Sequence, residues 1–303
     1  HAGHPENERA DELARGAMVT RQRDLMAFED ADPRDVRLVD DGEGLAFALC
    51  GVIPERRYLL PALYGCLQLQ NGVPIGYGQV EALGRTAALA YNTFATFRGA
   101  EAARVFARLV AMTRHVFGAT SLSIDPYQLG DGNDEGIESG VWWFYYKLGF
   151  RPLARDALAT LRRELERMRR KPGHRSAPGA LRRLARHPLF LDLDGGRPRG
   201  LPPQQAILGR AAAALARHGG GTQAEARLER EALRLTGLGS LAGFSRHERQ
   251  AWRRWAPLVV SIGGLARWPA AEDVMRAKAA RRETDYLERV AGHPRLGEFL
   301  GVS

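Results

Sequence analysis

The chain has 303 residues, enough for two domains of ordinary size, and its 45% hydrophobic content is typical of a globular protein. It contains no run of eighteen apolar residues and begins without an apolar signal segment, so we expect no membrane span and a cytoplasmic location. Residues 1–150 carry 14 Lys and Arg against 20 Asp and Glu, whereas residues 151–303 carry 30 against 15. The chain therefore has an acidic first half and a basic second half.

The cysteine and histidine patterns predict neither a disulfide nor a metal site. Cys50 and Cys66 form no Cys-x-x-Cys motif, so we expect two reduced, buried thiols. The eight histidines are scattered. Residues 131–136 begin like an EF-hand loop, but its twelfth position is Trp142, where calcium needs a bidentate glutamate.

The first third of the chain predicts a helical segment followed by an antiparallel sheet. We assign residues 1–34 to an N-terminal helical extension, with short strands at 36–39 and 44–50. Residues 64–70 and 75–81 then alternate on either side of Asn71-Gly72, the dipeptide favoured in two-residue hairpin turns. Residues 86–94 are predicted as the next strand.

Residues 91–152 carry the most informative pattern. Arg98-Gly99 ends a β-prone run, and apolar residues then recur at helical spacing until Gly118, which suits a helix C-terminus. Residues 120–124 form a short strand that Asp125-Pro126 ends. Because the first amides of a helix point outward, the turn before this helix can bind an anion, and a phosphate-bearing cofactor is the first ligand to expect.

The same stretch resembles the GNAT superfamily of N-acyltransferases. Residues 98–103 (RGAEAA) are similar to its Arg-Gly-x-Gly-x-Ala pyrophosphate loop, and residues 144–150 (FYYKLGF) are similar to its Phe-Tyr-x-Lys-Leu-Gly-Phe ending. The resemblance covers roughly residues 35–155 and departs at Glu101, where the pattern has its second glycine. A carboxylate there suits the helix dipole but repels a pyrophosphate.

We therefore predict an α/β fold with two domains after the extension. Residues 35–155 would form a GNAT-like, mixed and mostly antiparallel sheet flanked by helices, and the turn and period signals alone give the same order of elements. Residues 156–303 would form an all-α, arginine-rich domain of unknown role. Its helices are predicted near 203–217, 223–236, 246–258, 270–280 and 284–291, with capping boxes at Thr222…Glu225 and Ser245…Glu248 and a core built on Trp252, Trp255 and Trp268.

The resemblance also implies a cofactor site and a mechanism. Acetyl-CoA or another acyl-CoA would bind a splayed strand and the loop after it, at Thr93, Phe94, Phe97, Arg98, Gly99, Ala100, Ala102 and Ala103. Tyr145 would protonate the departing thiolate, with packing among the neighbouring aromatic residues as the alternative role. Glu81, at the end of a strand, is the best-placed base and Glu138 the second candidate, although either can also be a plain surface charge.

The predicted function is direct transfer of an acyl group from acyl-CoA to a small-molecule or peptide amine, in a protein that can be a homodimer. The competing hypothesis is a degenerate GNAT fold without CoA chemistry that serves as a binding or scaffold module. Glu101 favours the second hypothesis, and Tyr145 with Arg98-Gly99 favours the first.

We predict that the basic half is a solvated arginine-rich surface and binds no nucleic acid, because its arginines are scattered and no recognition motif is present. Fluorescence anisotropy with labelled DNA and RNA should detect no submicromolar binding at physiological salt. A submicromolar affinity that falls steeply as salt rises would contradict this prediction.

Overall fold

The protein is described by a computed structural model that covers residues 25–99, 101–202, 204–261, 275–276, 278–279 and 282–291. The fold is built on a single eight-stranded sheet within these residues. Its strands are β1 Ala31–Gly42, β2 Leu45–Val52, β3 Ala62–Gln70, β4 Val73–Leu83, β5 Thr86–Thr93, β6 Ser121–Ile124, β7 Arg151–Pro152 and β8 Leu189–Asp192.

The strands lie across the sheet in the order β1-β2-β3-β4-β5-β6-β8-β7. All neighbouring pairs are antiparallel except β5 and β6, which are parallel. The predicted α/β class with a mixed, mostly antiparallel sheet is therefore confirmed.

Helices flank the sheet and make up most of the later part of the chain. They are α1 Met26–Glu29, α2 Glu101–Phe117, α3 Pro126–Leu129, α4 Asp134–Ser139, α5 Val141–Lys147, α6 Arg155–Arg170, α7 Pro178–Ala185, α8 Gln204–Arg217, α9 Gly221–Thr236, α10 Arg246–Ser261 and α11 Glu283–Ala291. None of the helices in the described ranges combines the length and apolar character that a bilayer crossing requires.

Several local predictions are confirmed by backbone geometry. Asn71 and Gly72 both have positive φ, 52° and 80°, as a type I′ hairpin turn requires. Ser245 and Glu248 form the reciprocal capping box, since each side chain accepts a hydrogen bond from the backbone N–H of the other residue. The box predicted at Thr222 is wrong, because α9 begins at Gly221, two residues earlier than predicted, and its N-cap Gly220 offers no side-chain cap.

The N-terminal boundary differs from the prediction. Residues 1–24 lie outside the described part of the chain, but β1 begins at Ala31, inside the segment assigned to a helical extension. Pro33 lies inside this strand, although proline cannot donate a hydrogen bond to a neighbouring strand. The strand continues past it because the pairing with β2 shifts register between Ala31 and Val36, and a bulge needs no ladder hydrogen bond from proline.

The prediction of an all-α domain from residue 156 onward is wrong at Leu189–Asp192. This segment is β8, and it pairs with β6 on one side and β7 on the other. A run of four residues is too short to distinguish a strand from a loop in the sequence. The sheet therefore extends past the boundary predicted at residue 155.

Strand pairing assigns side chains to the two faces of the sheet. Tyr64 pairs with Val80, and the Tyr64 ring packs 5.1 Å from the ring of Phe117 in α2. Leu63, next to Tyr64, pairs with Glu81, next to Val80. Because successive side chains of a strand alternate between faces, Leu63 and Glu81 point to the face opposite to Tyr64. We call these faces the α2 face and the Glu81 face.

The C-terminal segment is joined to the sheet by a buried cluster of polar side chains, Asp35, Tyr64, Lys278 and Glu283. Lys278 Nζ donates to Glu283 Oε1 at 2.6 Å and to the carbonyl of Pro61 at 2.7 Å. Glu283 Oε2 accepts from the backbone N–H of Leu63, and Asp35 Oδ2 accepts from both Tyr64 Oη and Glu283 N. Burial lowers the pKa of Lys278 to about 8, although Glu283 opposes this shift.

We expect Glu283→Gln to reduce the free energy of unfolding by about 3 kcal/mol, because it leaves the buried ammonium of Lys278 without its counter-charge. Chemical denaturation measures the effect. Glu288→Gln, on the exposed side of the same helix, is the control and should change stability little. In the double variant Lys278→Met/Glu283→Gln the loss should be smaller than the sum of the two single losses. Equal losses for Glu283→Gln and Glu288→Gln would contradict this account of the cluster.

Candidate functional site

The sheet opens between its two parallel strands. Pairing of β5 with β6 runs from Thr86 and Ser121 to Leu89 and Ile124 and then stops, whereas β5 continues to Thr93. The chain leaves the sheet after Ile124 because Pro126 starts α3 and Asp125 caps it, its carboxylate accepting from Tyr127 N at 3.4 Å. Beyond Leu89 the second half of β5 therefore borders a gap.

A side chain of α3 bonds to the backbone of β5. Gln128 Oε1 accepts from the N–H of Tyr91 at 3.5 Å, the long limit of a hydrogen bond. On the same edge of β5, the carbonyl of Thr93 accepts from Arg98 Nε at 3.3 Å. The backbone at Tyr91 and Thr93 therefore faces the gap and is held by exposed or half-buried side chains.

One cavity lies beside this gap on the α2 face. It has a volume of about 360 Å³, and we call it the Glu101 cavity. Its lining includes three of the predicted cofactor residues, Thr93, Phe97 and Ala102, together with Gln68, Tyr91 and Glu101. It reaches the first turn of α2, so the predicted loop and strand do meet at one cavity.

The other predicted cofactor residues do not line this cavity. Phe94 packs against Tyr77 with ring centroids 5.7 Å apart, Gly99 is exposed and Ala103 is half-buried, while Ala100 lies outside the described residues. Arg98 forms an ion pair with Glu135 at 2.8 Å, which joins the loop to the acidic segment before α5.

Glu101 is paired rather than isolated at the helix entrance. Arg104 Nε donates to Glu101 Oε2 at 2.6 Å, and Arg104 also lies 3.6 Å from Glu43. The Glu101 side chain is 70% exposed, so water screens this pair. The entrance to α2 thus carries both signs of charge.

A second cavity lies on the Glu81 face, also with a volume of about 360 Å³. We call it the Glu81 cavity. Besides Glu81 it is lined by Gln79, Ser123, Asp125, Tyr127 and Phe190, and by residues 200–202 after β8. The predicted base therefore faces a cavity, whereas Glu138 is exposed on α4 and lines neither cavity.

Two glutamines were missed by the sequence analysis. Gln68 lines the Glu101 cavity and Gln79 lines the Glu81 cavity. Both are buried, and in each the amide oxygen has no hydrogen-bond partner. The signal available in the sequence was weak: Gln79 and Glu81 are two apart in a strand and so share a face.

Tyr145 lies in the aromatic core and lines neither cavity. Its side chain is 1% exposed, and its ring packs 5.3 Å from Phe106 of α2 and 6.0 Å from Phe150. Phe106 separates it from the Tyr91 ring on β5, which lies 5.2 Å from Phe106. The part that the resemblance assigns to Tyr145 stays a prediction.

Both cysteines are free, as predicted, with Cys66 buried and Cys50 half-buried. Burial raises the pKa of Cys66 to about 12 and also raises that of Cys50. In the described ranges no group of three or more His, Cys, Asp or Glu side chains could hold a metal ion. Comparisons with known protein families, with curated proteins and with solved structures find no match for this chain.

If CoA binds at the start of α2, as the resemblance implies, Glu101→Gln should tighten the binding of free CoA by about ten-fold, because the change removes a negative charge beside the anion and releases Arg104. Isothermal calorimetry measures the affinity. Glu225→Gln, at an exposed position in α9, is the control and should leave the affinity unchanged. If CoA binds and Glu101→Gln has the same affinity as the unaltered protein, the anion does not lie at the start of α2.

Proposed function

We propose that this protein is an acyl-CoA-dependent N-acyltransferase that moves the acyl group directly from the thioester to an amine. The observation that carries the proposal is the gap beside β5, with one cavity on each face of the sheet next to it. Direct transfer requires two substrates to approach from different sides and to meet at one point, and binding them in that geometry supplies much of the catalysis.

The Glu101 cavity suits the cofactor. It lies at the N-terminus of a 17-residue helix, where backbone amides and the helix dipole favour an anion. Arg98 and Arg104 are exposed next to it and can pair with phosphates. The thioester would extend from there along β5, where the N–H of Tyr91 can donate to its carbonyl oxygen in place of Gln128.

The Glu81 cavity suits the amine. The bound ammonium would first release one proton to solvent. Glu81 would accept the second proton as the neutral nitrogen attacks the thioester carbonyl carbon. The C–N bond forms as the C–S bond breaks, and the thiolate takes a proton, which the resemblance assigns to Tyr145. The products are an amide and the free thiol of CoA. Neither Cys50 nor Cys66 lines either cavity, which favours direct transfer over an acyl-cysteine intermediate.

A binding module without CoA chemistry is the second candidate. Two observations favour it: Arg98 is engaged by Glu135, and Tyr145 lines neither cavity. The two functions differ in whether acetyl-CoA binds and turns over.

The test is turnover of acetyl-CoA with a panel of amines, followed as release of free thiol. If the Tyr145 phenol is the proton donor, Tyr145→Phe should lower the turnover number about 10²- to 10⁴-fold and leave cofactor affinity nearly intact, because the ring and its packing remain.

Tyr146→Phe is the matched control. The Tyr146 ring stacks on Trp142 and lies under Arg151, and both contacts survive loss of the hydroxyl, so its rate should change little. An unchanged rate in Tyr145→Phe would refute the role of this residue. A wild-type protein that neither binds acetyl-CoA nor turns it over would favour the binding module.

A further inference from the structure

The Glu81 cavity is chemically asymmetric in a way that selects its ligand. Two of its lining side chains, Glu81 and Asp125, are acidic, and none of the lining residues within the described ranges is Lys, Arg or His. A cavity with only negative charges attracts a cation and disfavours an acid.

The polar end of this cavity presents two hydrogen-bond acceptors, the amide oxygen of Gln79 and the carboxylate of Glu81. A hydrogen bond between the two side chains fixes how they are oriented. Gln79 Nε2 donates to Glu81 Oε1 at 2.9 Å. A carboxylate can only accept, so the amide of Gln79 must turn its NH₂ group toward Glu81 and present its oxygen elsewhere. That oxygen is buried and has no partner, in a side chain that is only 7% exposed.

A buried acceptor without a donor is costly, and a donor from a ligand removes that cost. An ammonium group carries three N–H donors and a positive charge. It can therefore donate to Gln79 Oε1 and to the neighbouring carboxylate of Glu81 at the same time. A neutral group can supply the donors, but it lacks the positive charge that the carboxylates of this cavity favour.

Another part of the lining is apolar and partly aromatic. Phe190, on β8, pairs with Ser123 of β6 and so faces the same side of the sheet. The backbone at Gly200 lies against its ring, since a Cβ there would be 3.0 Å from Phe190 Cε1. Leu201 and Pro202 follow directly and continue the wall. A volume of about 360 Å³ lies at the lower end of the range, roughly 300–1,000 Å³, found for small-molecule sites.

We propose that the Glu81 cavity binds a small primary amine, protonated in solution, on an apolar or aromatic body. Its ammonium group lies at Gln79 and Glu81, and its body lies along Phe190 and Leu201. The inference rests on the proposed function, because it names the acceptor class of that reaction, but binding to this cavity can be measured without a cofactor. Gln79 is then a positioning residue, which orients Glu81 and contributes the second acceptor.

The probe is 2-phenylethylamine, titrated by calorimetry into the full chain without CoA. Three comparators separate the contributions of the charge and of the ring. 2-Phenylethanol lacks the positive charge, 3-phenylpropionate carries a negative charge instead, and ethylamine lacks the ring. The amine should bind at least ten-fold more tightly than each comparator. A free-amine tetrapeptide serves as the macromolecular alternative and should bind more weakly.

Glu81→Gln should weaken binding of 2-phenylethylamine at least ten-fold, because it removes the charge and keeps the shape. Gln79→Leu should also weaken binding of the amine. If Glu81→Gln does not fold, Phe190→Leu, which keeps an apolar side chain, tests the contribution of the aromatic ring. Glu225→Gln, remote and exposed, should bind as the unaltered protein does.

The proposal is overturned if the alcohol or the acid binds as well as the amine, if the peptide binds more tightly, or if Glu81→Gln has no effect. Turnover separates it from the proposed function. Selective amine binding without transfer from acetyl-CoA would leave this inference standing and refute the acyltransferase. Transfer to amines that lack an apolar body, without selective binding of 2-phenylethylamine, would support the acyltransferase and refute this inference.

Discussion

The early end of β6 is the constraint on which the candidate site depends. Two parallel strands stay paired only while both remain extended, and Asp125-Pro126 turns the chain into a capped helix four residues after the strand begins. β5 keeps its antiparallel partner β4 up to Thr93, so it stays in the sheet while its other edge is left without a strand. One proline and one capping carboxylate thus place a gap between two cavities.

The two faces of the sheet give the gap its chemical asymmetry. The α2 face brings a helix N-terminus and arginines toward β5, whereas the Glu81 face brings carboxylates and an apolar wall. Because successive side chains of a strand alternate between faces, β4 and β5 each contribute residues to the lining of both cavities. The later part of the chain completes this arrangement, since β8 and residues 200–202 close the Glu81 cavity.

Features with a local physical cause could be predicted from the sequence. The Asn71-Gly72 turn, the helix end at Gly118 and the cap at Ser245 all follow from backbone conformation or from hydrogen bonds between near neighbours. The end of β6 was predicted for the right reason. The role of Glu81 as the best-placed base stays a prediction. That Glu81 faces a cavity follows from the register of β3, β4 and β5.

Features that depend on distant contacts could not be predicted. The four residues of β8 have no strand signal in the sequence and form a strand because they pair with β6. Gln79 belongs to no sequence motif, and its role depends on the hydrogen bond between its amide and Glu81. The buried pair of Lys278 and Glu283 bonds to the chain at Pro61 and Leu63, more than 200 positions away. Such contacts leave no periodic or compositional signal in the chain.

In the proposed reaction both substrates are bound at once, on opposite faces of the sheet, and react directly across the gap. Initial rates measured over a matrix of acetyl-CoA and 2-phenylethylamine concentrations test it most directly. The account predicts double-reciprocal lines that intersect, as a ternary complex requires. Parallel lines with acetylated protein accumulating in the absence of amine, or no amide formed at any concentration, would contradict it.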